Sequence, residues 1–460
     1  MVKFMQVKLC FEDGLSRHFT GGNTKYFLKE GNPTMKRILA LVLAVMLMAT
    51  LFVGCGGSGD NGSTTSGSSD DPFYGEDNIS LKVWAPDAAV ALTQKQCDAF
   101  KALYPNKTIS IEVIAQGESD AATNLLNDPS AAADVFGFAC DQLNKLEKAG
   151  VLSPVSDYPE YEAAVKARDS EESIAAATLN GKLLAYPETG DNGYYLVYDK
   201  RYVTDEDAKT LEGVFAACKK AGKNFVMDAG NGFYSCMFPF TGGLKITGLE
   251  GEDDTQVFNE YDADAVADTL VAFATLFHDN KDNFLSGDVS KVSSGMSVDP
   301  STVAAGIDGS WNAAACQKAL GDNYGAAKLP TIKVNGEDKQ IISMHGYKLM
   351  GVNKSSKFPE SAQLLANYLT DEECQKQRAE EISWGPSNKN VAASDVVKNN
   401  VAVSAILAQS AYSIPQVNIS STFWNPMADL GNNLFKDGTK YDKDTLKKLL
   451  QDTVTNIKDE

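Results

Sequence analysis

Hydrophobic positions from Ile79 onward alternate between two spacings. Short apolar runs at Ile79–Trp84, Ile109–Ile114 and Val135–Phe138 are typical of buried strands. Between them, Leu92–Tyr104 and Asp120–Leu126 carry apolar residues at helical spacing. Short strands that alternate with helices along the chain predict an α/β fold, with parallel strands and helices on both faces of the sheet.

The alternation continues to the end of the chain, and the second half is richer in helical patterns. At about 150 residues per domain, a chain of 460 residues corresponds to two or three domains, and the extent of the pattern favours two α/β lobes. The further predicted strands are Leu183–Tyr186, Leu196–Tyr198 and Phe225–Met227, and the further predicted helices are Leu143–Ala149, Leu211–Ala221, Ala263–His278, Pro359–Leu369, Val401–Ala408, Met427–Phe435 and Asp444–Ile457.

One segment, Ile38–Val53, is hydrophobic enough to enter a membrane, although it is shorter than the roughly 20 residues of a spanning helix. A basic start at Lys36-Arg37, an apolar stretch and a small residue before the cut are the parts of a secretory signal. The Gly54-Cys55 end resembles a bacterial lipobox, in which the cysteine thiol receives a diacylglycerol, although Phe52 stands where that motif usually has Leu. We therefore expect lipidation of Cys55; a plain cleaved signal and an uncleaved anchor are the alternatives.

The segments on either side of this signal have different characters. A signal peptide at 35–54 should begin at a translation start, so we expect initiation at Met35 and interpret residues 1–34 as a non-native upstream extension. Residues 55–78 are rich in Gly, Ser, Thr and Asp, and such a segment behaves as a flexible tether. The expected arrangement is a lipid anchor, a tether and a soluble body on the outer face of the cell membrane.

Composition narrows the function of that body. The full chain has 42 basic and 61 acidic residues and a net charge of −19, which makes nucleic acid a poor partner. We find no P-loop, no GxGxxG, no GxSxG, no HExxH and no CxxC pair, so we expect no cofactor and no metal. Paired carboxylates suited to glycoside hydrolysis stay an open alternative, because so acidic a chain always offers some pair.

Two of the four tryptophans stand at turns, where packing explains them less easily. Trp311 follows Asp308-Gly309-Ser310 at a strand-to-helix turn, and Trp424 precedes Asn425-Pro426 at a helix start. An aromatic face can bury the apolar face of a sugar ring while the edge hydroxyls find polar partners. For Trp311 and Trp424, core packing and ligand contact stay equally open as roles. Trp84, which ends a predicted strand, is expected in the core.

Four segments in chain order form a recognisable set. They are Ala133-Asp134-Val135-Phe136 through Gly150-Val151-Leu152, Asn180–Pro187 followed by Leu196–Lys200, Ile307-Asp308-Gly309-Ser310-Trp311, and Ile414-Pro415-Gln416-Val417 to Phe423-Trp424. This set resembles the bacterial sugar-binding lipoproteins that feed ABC importers, the family 1 extracellular solute-binding proteins. The last segment is similar to a stretch of the maltodextrin-binding branch, and the resemblance runs from about Ile79 to the C-terminus.

The resemblance implies a two-lobed, periplasmic-binding-protein-like fold of type II, with a hinge and a ligand cleft between the lobes. The N-terminal lobe would comprise 79–190 and about 346–393, and the C-terminal lobe 191–345 and about 394–460. The chain would cross between the lobes near 187–192, 344–349 and 393. A monomer would bind a malto-oligosaccharide without breaking any bond and would deliver it to ABC permease subunits.

The site residues implied by the resemblance fall into aromatic and polar groups. Trp311 and Trp424 match rings that stack on glucose units, and Gln142 stands where the branch often has Arg. Asp191 or Asn192 matches a carboxylate at the crossover, but the loop length leaves open which one. The remaining implied contacts are Asp87, Phe138, Asp141, Asn231, Phe233 and Tyr234.

Two other ligands stay open within the same fold. One is a different oligosaccharide, because the Lys expected beside Asp87 and the Arg expected at Gln142 are absent. The other is a peptide, which would favour charged anchors such as Arg over aromatic plates. Arg168, Arg201 and Arg378 lie apart in sequence from the aromatic candidates, which weighs against a peptide.

The native N-terminus of the protein tests the expected lipidation of Cys55. Mass spectrometry of the native protein should show a diacylglyceryl group on Cys55 and no peptide from residues 1–34, because the basic and apolar segments before it form a signal. An intact peptide spanning Gly54-Cys55 in the mature protein would contradict the lipidation.

Overall fold

A computed structural model describes residues 71–251, 253–436 and 441–459. The predicted signal peptide, Cys55 and all of the predicted tether up to residue 70 lie outside the described residues. Among the helices of the described part, none is both long and apolar enough to cross a membrane.

The strands are short except for two. The longest, β6, spans 14 residues, and β15 spans 10. The strands are β1 Ile79–Ala85, β2 Ile109–Ala115, β3 Val135–Ala139, β4 Thr178–Leu179, β5 Lys182–Leu183, β6 Tyr186–Asp199, β7 Asn224–Met227, β8 Ile246–Glu250, β9 Thr255–Phe258, β10 Phe284–Ser286, β11 Val303–Gly309, β12 Tyr324–Ala327, β13 Thr331–Val334, β14 Glu337–Gln340, β15 Ser343–Val352 and β16 Ser413–Pro415.

Helices separate most of these strands, as the sequence pattern predicts. The helices are α1 Val90–Leu103, α2 Ala121–Asn127, α3 Leu143–Lys148, α4 Pro159–Arg168, α5 Glu171–Ala176, α6 Leu211–Ala221, α7 Gly232–Ser235, α8 Met237–Gly242, α9 Ala263–Asp279, α10 Ser290–Ser297, α11 Ala313–Leu320, α12 Pro359–Leu369, α13 Glu372–Glu381, α14 Lys389–Ala392, α15 Asp395–Lys398, α16 Val401–Ser410, α17 Trp424–Leu434 and α18 Lys443–Asp459.

Helix α9 shows how the sequence produces such an element. The Asp262 side chain accepts hydrogen bonds from the backbone N–H groups of Asp264 and Ala265, which caps the first turn. Val266, Leu270, Phe273 and Phe277 recur at helical spacing and are buried. The helix ends one residue after its predicted boundary at His278.

Most of the strands belong to one mixed sheet. Its order within the described residues is β10-β7-β11-β6-β15-β3-β1-β2, with β12 added to β6 and β16 added to β15. The first part of β6 pairs with β15, and its second part pairs with β11 and β12. The two long strands therefore join the two halves of the molecule, where the sequence predicts chain crossings.

The prediction of parallel strands is correct for only part of this sheet. Strand β1 is parallel to β2 and β3, but β15 is antiparallel to both β3 and β6. Strands β11 and β12 are also antiparallel to β6. The physical reason is that a chain leaving one half along β6 returns along β15 in the opposite direction.

The boundaries of some elements were also predicted wrongly. The predicted strand Leu183–Tyr186 is interrupted, because β5 ends at Leu183 and β6 begins at Tyr186. The second half holds the small hairpins β8–β9 and β13–β14, which the sequence analysis did not predict. These strands are only four or five residues long, and β14 (Glu337–Gln340) has no apolar residue, so they show no clear period.

Separate hydrophobic cores fill the two halves. One includes Phe136 and Leu365, and the other includes Phe225 and Phe277. On β6, Leu196 faces this second core while its neighbour Val197 faces a further cluster on the opposite side of the sheet. The first core draws on residues 73–186 and 349–369, and the second on 194–344 and 414–457. Phe73 is buried in the first core, so the prediction of a tether up to residue 78 is wrong at its end. We retain the other predicted lobe boundaries as a proposal.

A prediction follows from the aromatic centre of the second core. The Phe277 ring lies 4.5 Å from Phe284, 4.7 Å from Phe435 and 5.0 Å from Phe215, between centroids. Replacing Phe277 by Ala should lower the free energy of unfolding by about 3–5 kcal/mol, because it leaves a cavity among these rings. Denaturant titration measures the loss.

Leu407→Ala is the matched control, because Leu407 is 45% exposed on α16. This variant should change the free energy of unfolding by less than about 1 kcal/mol. Equal losses in the two variants would contradict the assigned core.

Candidate functional site

Trp311 lies at the end of β11, beside the crossing strand β6. A short 3₁₀ turn, Ser310–Asn312, follows the strand and leaves the Trp311 ring half-buried. Buried Asp308 holds this turn by accepting hydrogen bonds from Gly309 N at 2.7 Å and Asn312 Nδ2 at 2.9 Å. Burial raises the pKa of Asp308 to about 7.

The backbone of Trp424 lies in close contact with Gly232, the first residue of α7. A Cβ atom on Gly232 would lie 2.3 Å from the Trp424 carbonyl oxygen, so only glycine lets α7 and the start of α17 approach this closely. The Asn231 side chain caps α7 by accepting a hydrogen bond from Phe233 N at 3.0 Å. The half-buried Phe233 ring lies 6.1 Å from the Trp311 ring, between centroids. The Trp311 and Phe233 rings are therefore neighbours, and the backbone of Trp424 meets the helix that carries Phe233. We call these three residues the aromatic group.

Tyr234 belongs to the interior behind this group. Its ring lies 4.9 Å from that of Tyr194 and is nearly fully buried. Its hydroxyl has no hydrogen-bond partner among the described residues. The structure therefore places Tyr234 behind Phe233 rather than beside it.

The predicted polar residues Asp141 and Asn192 are joined by Gln416, a residue for which the sequence analysis proposed no role. Gln416 Nε2 donates to Asp141 Oδ1 at 3.0 Å, and Gln416 Oε1 accepts from Asn192 Nδ2 at 2.7 Å. Cys140 Sγ also donates to the Gln416 carbonyl oxygen. Surrounding protein atoms raise the pKa of half-buried Asp141 to about 7, because they desolvate the charged form. The amide of Gln416 thus holds groups from separate parts of the chain in register.

Asp191, the other crossover candidate, has one carboxylate oxygen engaged and one without a partner in the described part of the chain. It is fully buried on β6, and its Oδ2 accepts from Gly385 N at 2.6 Å. The other oxygen, Oδ1, has no hydrogen-bond partner within the described ranges. Ser310 Oγ donates to the Asp191 carbonyl oxygen at 2.9 Å, which ties the Trp311 turn to β6.

Gln142 has a structural role that differs from its predicted one. Its Oε1 accepts from Ala122 N at 3.0 Å, and its Nε2 donates to the Glu118 carbonyl oxygen at 2.6 Å. Both ends of the amide are therefore used to fix the loop between β2 and α2. This loop carries Glu118.

The predicted residues Phe138 and Asp87, and the further tryptophan Trp384, differ in their exposure. Phe138 is fully buried in the core with Phe136, so the structure corrects its prediction as a groove residue: no ring face is left for a ligand. Asp87 is exposed. Trp384 is 1% exposed and lies under the Lys348 ammonium, 3.8 Å from the ring centroid, so it packs rather than rims an opening.

The arginines differ in their surroundings. Arg168 donates to the side chains of Asn367 and Thr370, and Arg201 is paired with Asp199, so each is engaged within its own half. Buried Arg378 pairs with Glu188 at 3.3 Å, close to the crossing strands. Over the described ranges, no group of three or more His, Cys, Asp or Glu side chains is arranged to hold a metal ion.

The family of this chain follows from its sequence match. The family of bacterial extracellular solute-binding proteins matches residues 95–405. The chain belongs to this family. The predicted family is thereby confirmed, and the protein is a solute-binding protein rather than an enzyme, which removes glycoside hydrolysis.

Two relatives of this chain carry names that refer to oligosaccharides. The galactooligosaccharide-binding protein of Bacillus subtilis (strain 168) is 27% identical over 347 residues, which cover 72% of this chain and 79% of the relative. The maltooligosaccharide ABC transporter solute-binding lipoprotein of Streptococcus pneumoniae serotype 4 is 25% identical over 446 residues, covering 91% and 96%. The chain is similar throughout most of its length to binding proteins of carbohydrate ABC importers.

A solved structure confirms the fold. The maltodextrin-binding protein MalE1 from L. casei BL23, without ligand, matches with a TM-score of 0.67 and 26% identity, covering 83% of this chain and 99% of that structure. The predicted two-lobed α/β fold is thus confirmed.

A prediction of pH dependence follows from Asp308. The raised pKa means that the folded protein keeps this proton between about pH 4 and 7, while the unfolded chain loses it near pH 3.9. The carboxyl therefore contributes stability below pH 4 that is lost as the pH rises to 7. Relative to the wild type, Asp308→Asn should gain stability across this window, by at most about 1.4 kcal/mol per pH unit.

Denaturant titrations at pH 4, 5, 6, 7 and 8 measure this difference. Glu337→Gln, which changes an exposed acid on β14, is the control and should follow the wild type. A constant offset between Asp308→Asn and the wild type at all pH values would contradict the assigned ionisation.

Proposed function

We propose that this protein captures malto-oligosaccharides between its two lobes as the lipid-anchored binding component of a carbohydrate ABC importer. The observation that carries the proposal is the aromatic group of Trp311, Phe233 and Trp424. It lies beside the crossing strands, where Asp191 Oδ1 is buried without a partner among the described residues.

This combination suits a sugar ring for two physical reasons. An indole face buries the apolar C–H face of a ring, and a carboxylate accepts the hydroxyls at its edge. An α-1,4-linked chain curves, so separate plates such as Trp311 and Trp424 can follow its successive apolar faces. Lobe closure about β6 and β15 would then bury the sugar and present one closed shape to the permease.

The relatives support an oligosaccharide but name two kinds. One is named for maltooligosaccharides and the other for galactooligosaccharides, at similar identity. We favour malto-oligosaccharides because the maltooligosaccharide relative covers more of both chains and the resemblance at Trp424 belongs to the maltodextrin branch. A galactooligosaccharide is the second candidate.

The delivery part of the proposal rests on the N-terminal pattern and on the family. A diacylglyceryl Cys55 would hold the protein at the outer membrane face, and two acyl chains on one residue anchor stably. A monomeric body would then meet the permease subunits at the end of its tether.

Isothermal titration against α- and β-linked oligosaccharides tests the ligand. The wild type should bind maltotriose with a dissociation constant in the micromolar range, about −8 kcal/mol, and chromatography should show no change in chain length. Trp311→Ala and Trp424→Ala should each lose on the order of 2–3 kcal/mol of binding, because each removes buried aromatic area.

Trp84→Ala is the control, since Trp84 packs edge-on against Phe136 at 6.5 Å in the N-terminal core. It should lower the thermal midpoint without selectively weakening binding. Tight binding of galactooligosaccharides but not maltodextrins would replace the proposed ligand. Unchanged affinity in a folded Trp424→Ala variant would mean that another residue, and not Trp424, stacks on the sugar ring.

A further inference from the structure

A group of charged side chains lies buried where the two lobes meet. Lys348 on β15 is 1% exposed, and its ammonium lies 3.3 Å from Glu118 Oε2. Arg378 pairs in the same way with Glu188 on β6. We call these four residues, together with Asp191, the hinge cluster.

The hinge cluster lies between tryptophans of the two lobes. Lys348 Nζ is 3.8 Å from the Trp384 ring centroid and 5.8 Å from that of Trp311. Trp384 packs with Ala85 and Ala89 of the N-terminal lobe, whereas Trp311 packs against the core of the C-terminal lobe. The ammonium is thus next to one of the proposed sugar plates.

Several polar atoms of the hinge cluster are buried without a hydrogen-bond partner in the described part of the chain. They are Glu118 Oε1, Glu188 Oε2, Asp191 Oδ1, Lys348 Nζ, and Arg378 Nε and Nη2. The contacts of Lys348 with Glu118 and of Arg378 with Glu188 are close in distance but lack the geometry of a hydrogen bond. A buried polar group without a partner costs free energy, and more so when it is charged.

A purely structural role explains this arrangement poorly. Buried ion pairs are weak stabilisers even when every lone pair is satisfied, and these are not. Both acids also contact the same point on β3: a Cβ on Gly137 would lie at ordinary contact distance from them, 3.4 Å from Glu188 Oε2 and 3.7 Å from Glu118 Cγ. The same small residue therefore adjoins the side chains of both acids.

The chemistry of the cluster indicates its ligand. Carboxylate oxygens accept hydrogen bonds, and the ammonium of Lys348 donates them. A hydroxyl group does both, so neighbouring hydroxyls of one ring can pair with the acids and with Lys348 at once. We propose that Lys348, Glu118 and Glu188 form a buried subsite that binds the hydroxyl groups of the sugar ring stacked on Trp311.

The subsite rests on the proposed function, and it adds residues from both crossing strands to the sugar contacts. Gln142 and Arg378 are positioning residues: Gln142 fixes the loop of Glu118, and Arg378 orients Glu188. Because Glu118 and Lys348 lie on one side and Trp311 on the other, lobe opening exposes the subsite and closure completes it.

The test is isothermal titration of maltotriose into the wild type and three variants. The variants are Lys348→Met, Glu118→Gln and the double variant, which removes both charges and keeps the side-chain size. Each should weaken binding by about ten- to a hundred-fold, since a hydrogen bond to a charged group is lost. The double variant should keep the thermal midpoint of the free protein, because a buried pair is replaced by neutral groups of similar volume.

A matched control removes an ion pair far from the hinge. Lys95 and Glu381 lie 2.6 Å apart on the exposed surface of the same lobe, so Lys95→Met with Glu381→Gln should bind as the wild type does. Should Lys348→Met not fold, Glu118→Gln carries the same comparison. Wild-type affinity in the folded double variant would overturn the subsite and leave the proposed function standing. Absence of binding to any sugar by the wild type would overturn both.

Discussion

The sharing of two long strands between the lobes is the constraint on which the rest of this structure depends. Strand β6 pairs with β15 in its first part and with β11 in its second, so the same backbone belongs to both halves. Side chains on these strands are held in the middle of a sheet. Polar groups placed there have fixed positions and little access to water.

That constraint explains why so much polar chemistry gathers at the hinge. The Asp191 carboxylate accepts a hydrogen bond from Gly385 N, and the Asp191 carbonyl oxygen accepts one from Ser310 Oγ. Asp191 therefore links β6 to segments of both lobes. Gln416 performs a similar task between Asp141 and Asn192. Each of these contacts joins segments that are distant in sequence. The crossing strands are therefore also the place where the aromatic group and these polar groups are brought together.

The sequence predicted the elements better than their pairing. Helix α9 was predicted to within one residue because its apolar positions recur at a single period over about three turns. The antiparallel direction of β15 was missed, since hydrophobic patterning reports burial and not which strand lies alongside. The hairpins β8–β9 and β13–β14 were missed because they are too short to show a period.

Some residues of the candidate site could be predicted from the sequence, and others depend on strand pairing. Trp311 and Trp424 were singled out because tryptophan at a turn is hard to explain by packing. Phe138 was assigned from the family pattern alone, and its burial beside Phe136 shows that a matching position can serve the core. Glu118, Glu188 and Lys348 carry no local motif, since their meeting depends on strand pairing and on the loop held by Gln142.

The central claim is that a neutral oligosaccharide binds between the lobes, against the aromatic group and the hinge. A crystal structure of the protein with maltotetraose tests it most directly. The account predicts glucose rings stacked on Trp311 and Trp424, with ring hydroxyls within hydrogen-bond distance of Asp191 Oδ1. A sugar bound elsewhere on the surface, with the aromatic group unchanged and Asp191 Oδ1 still unpaired, would contradict it.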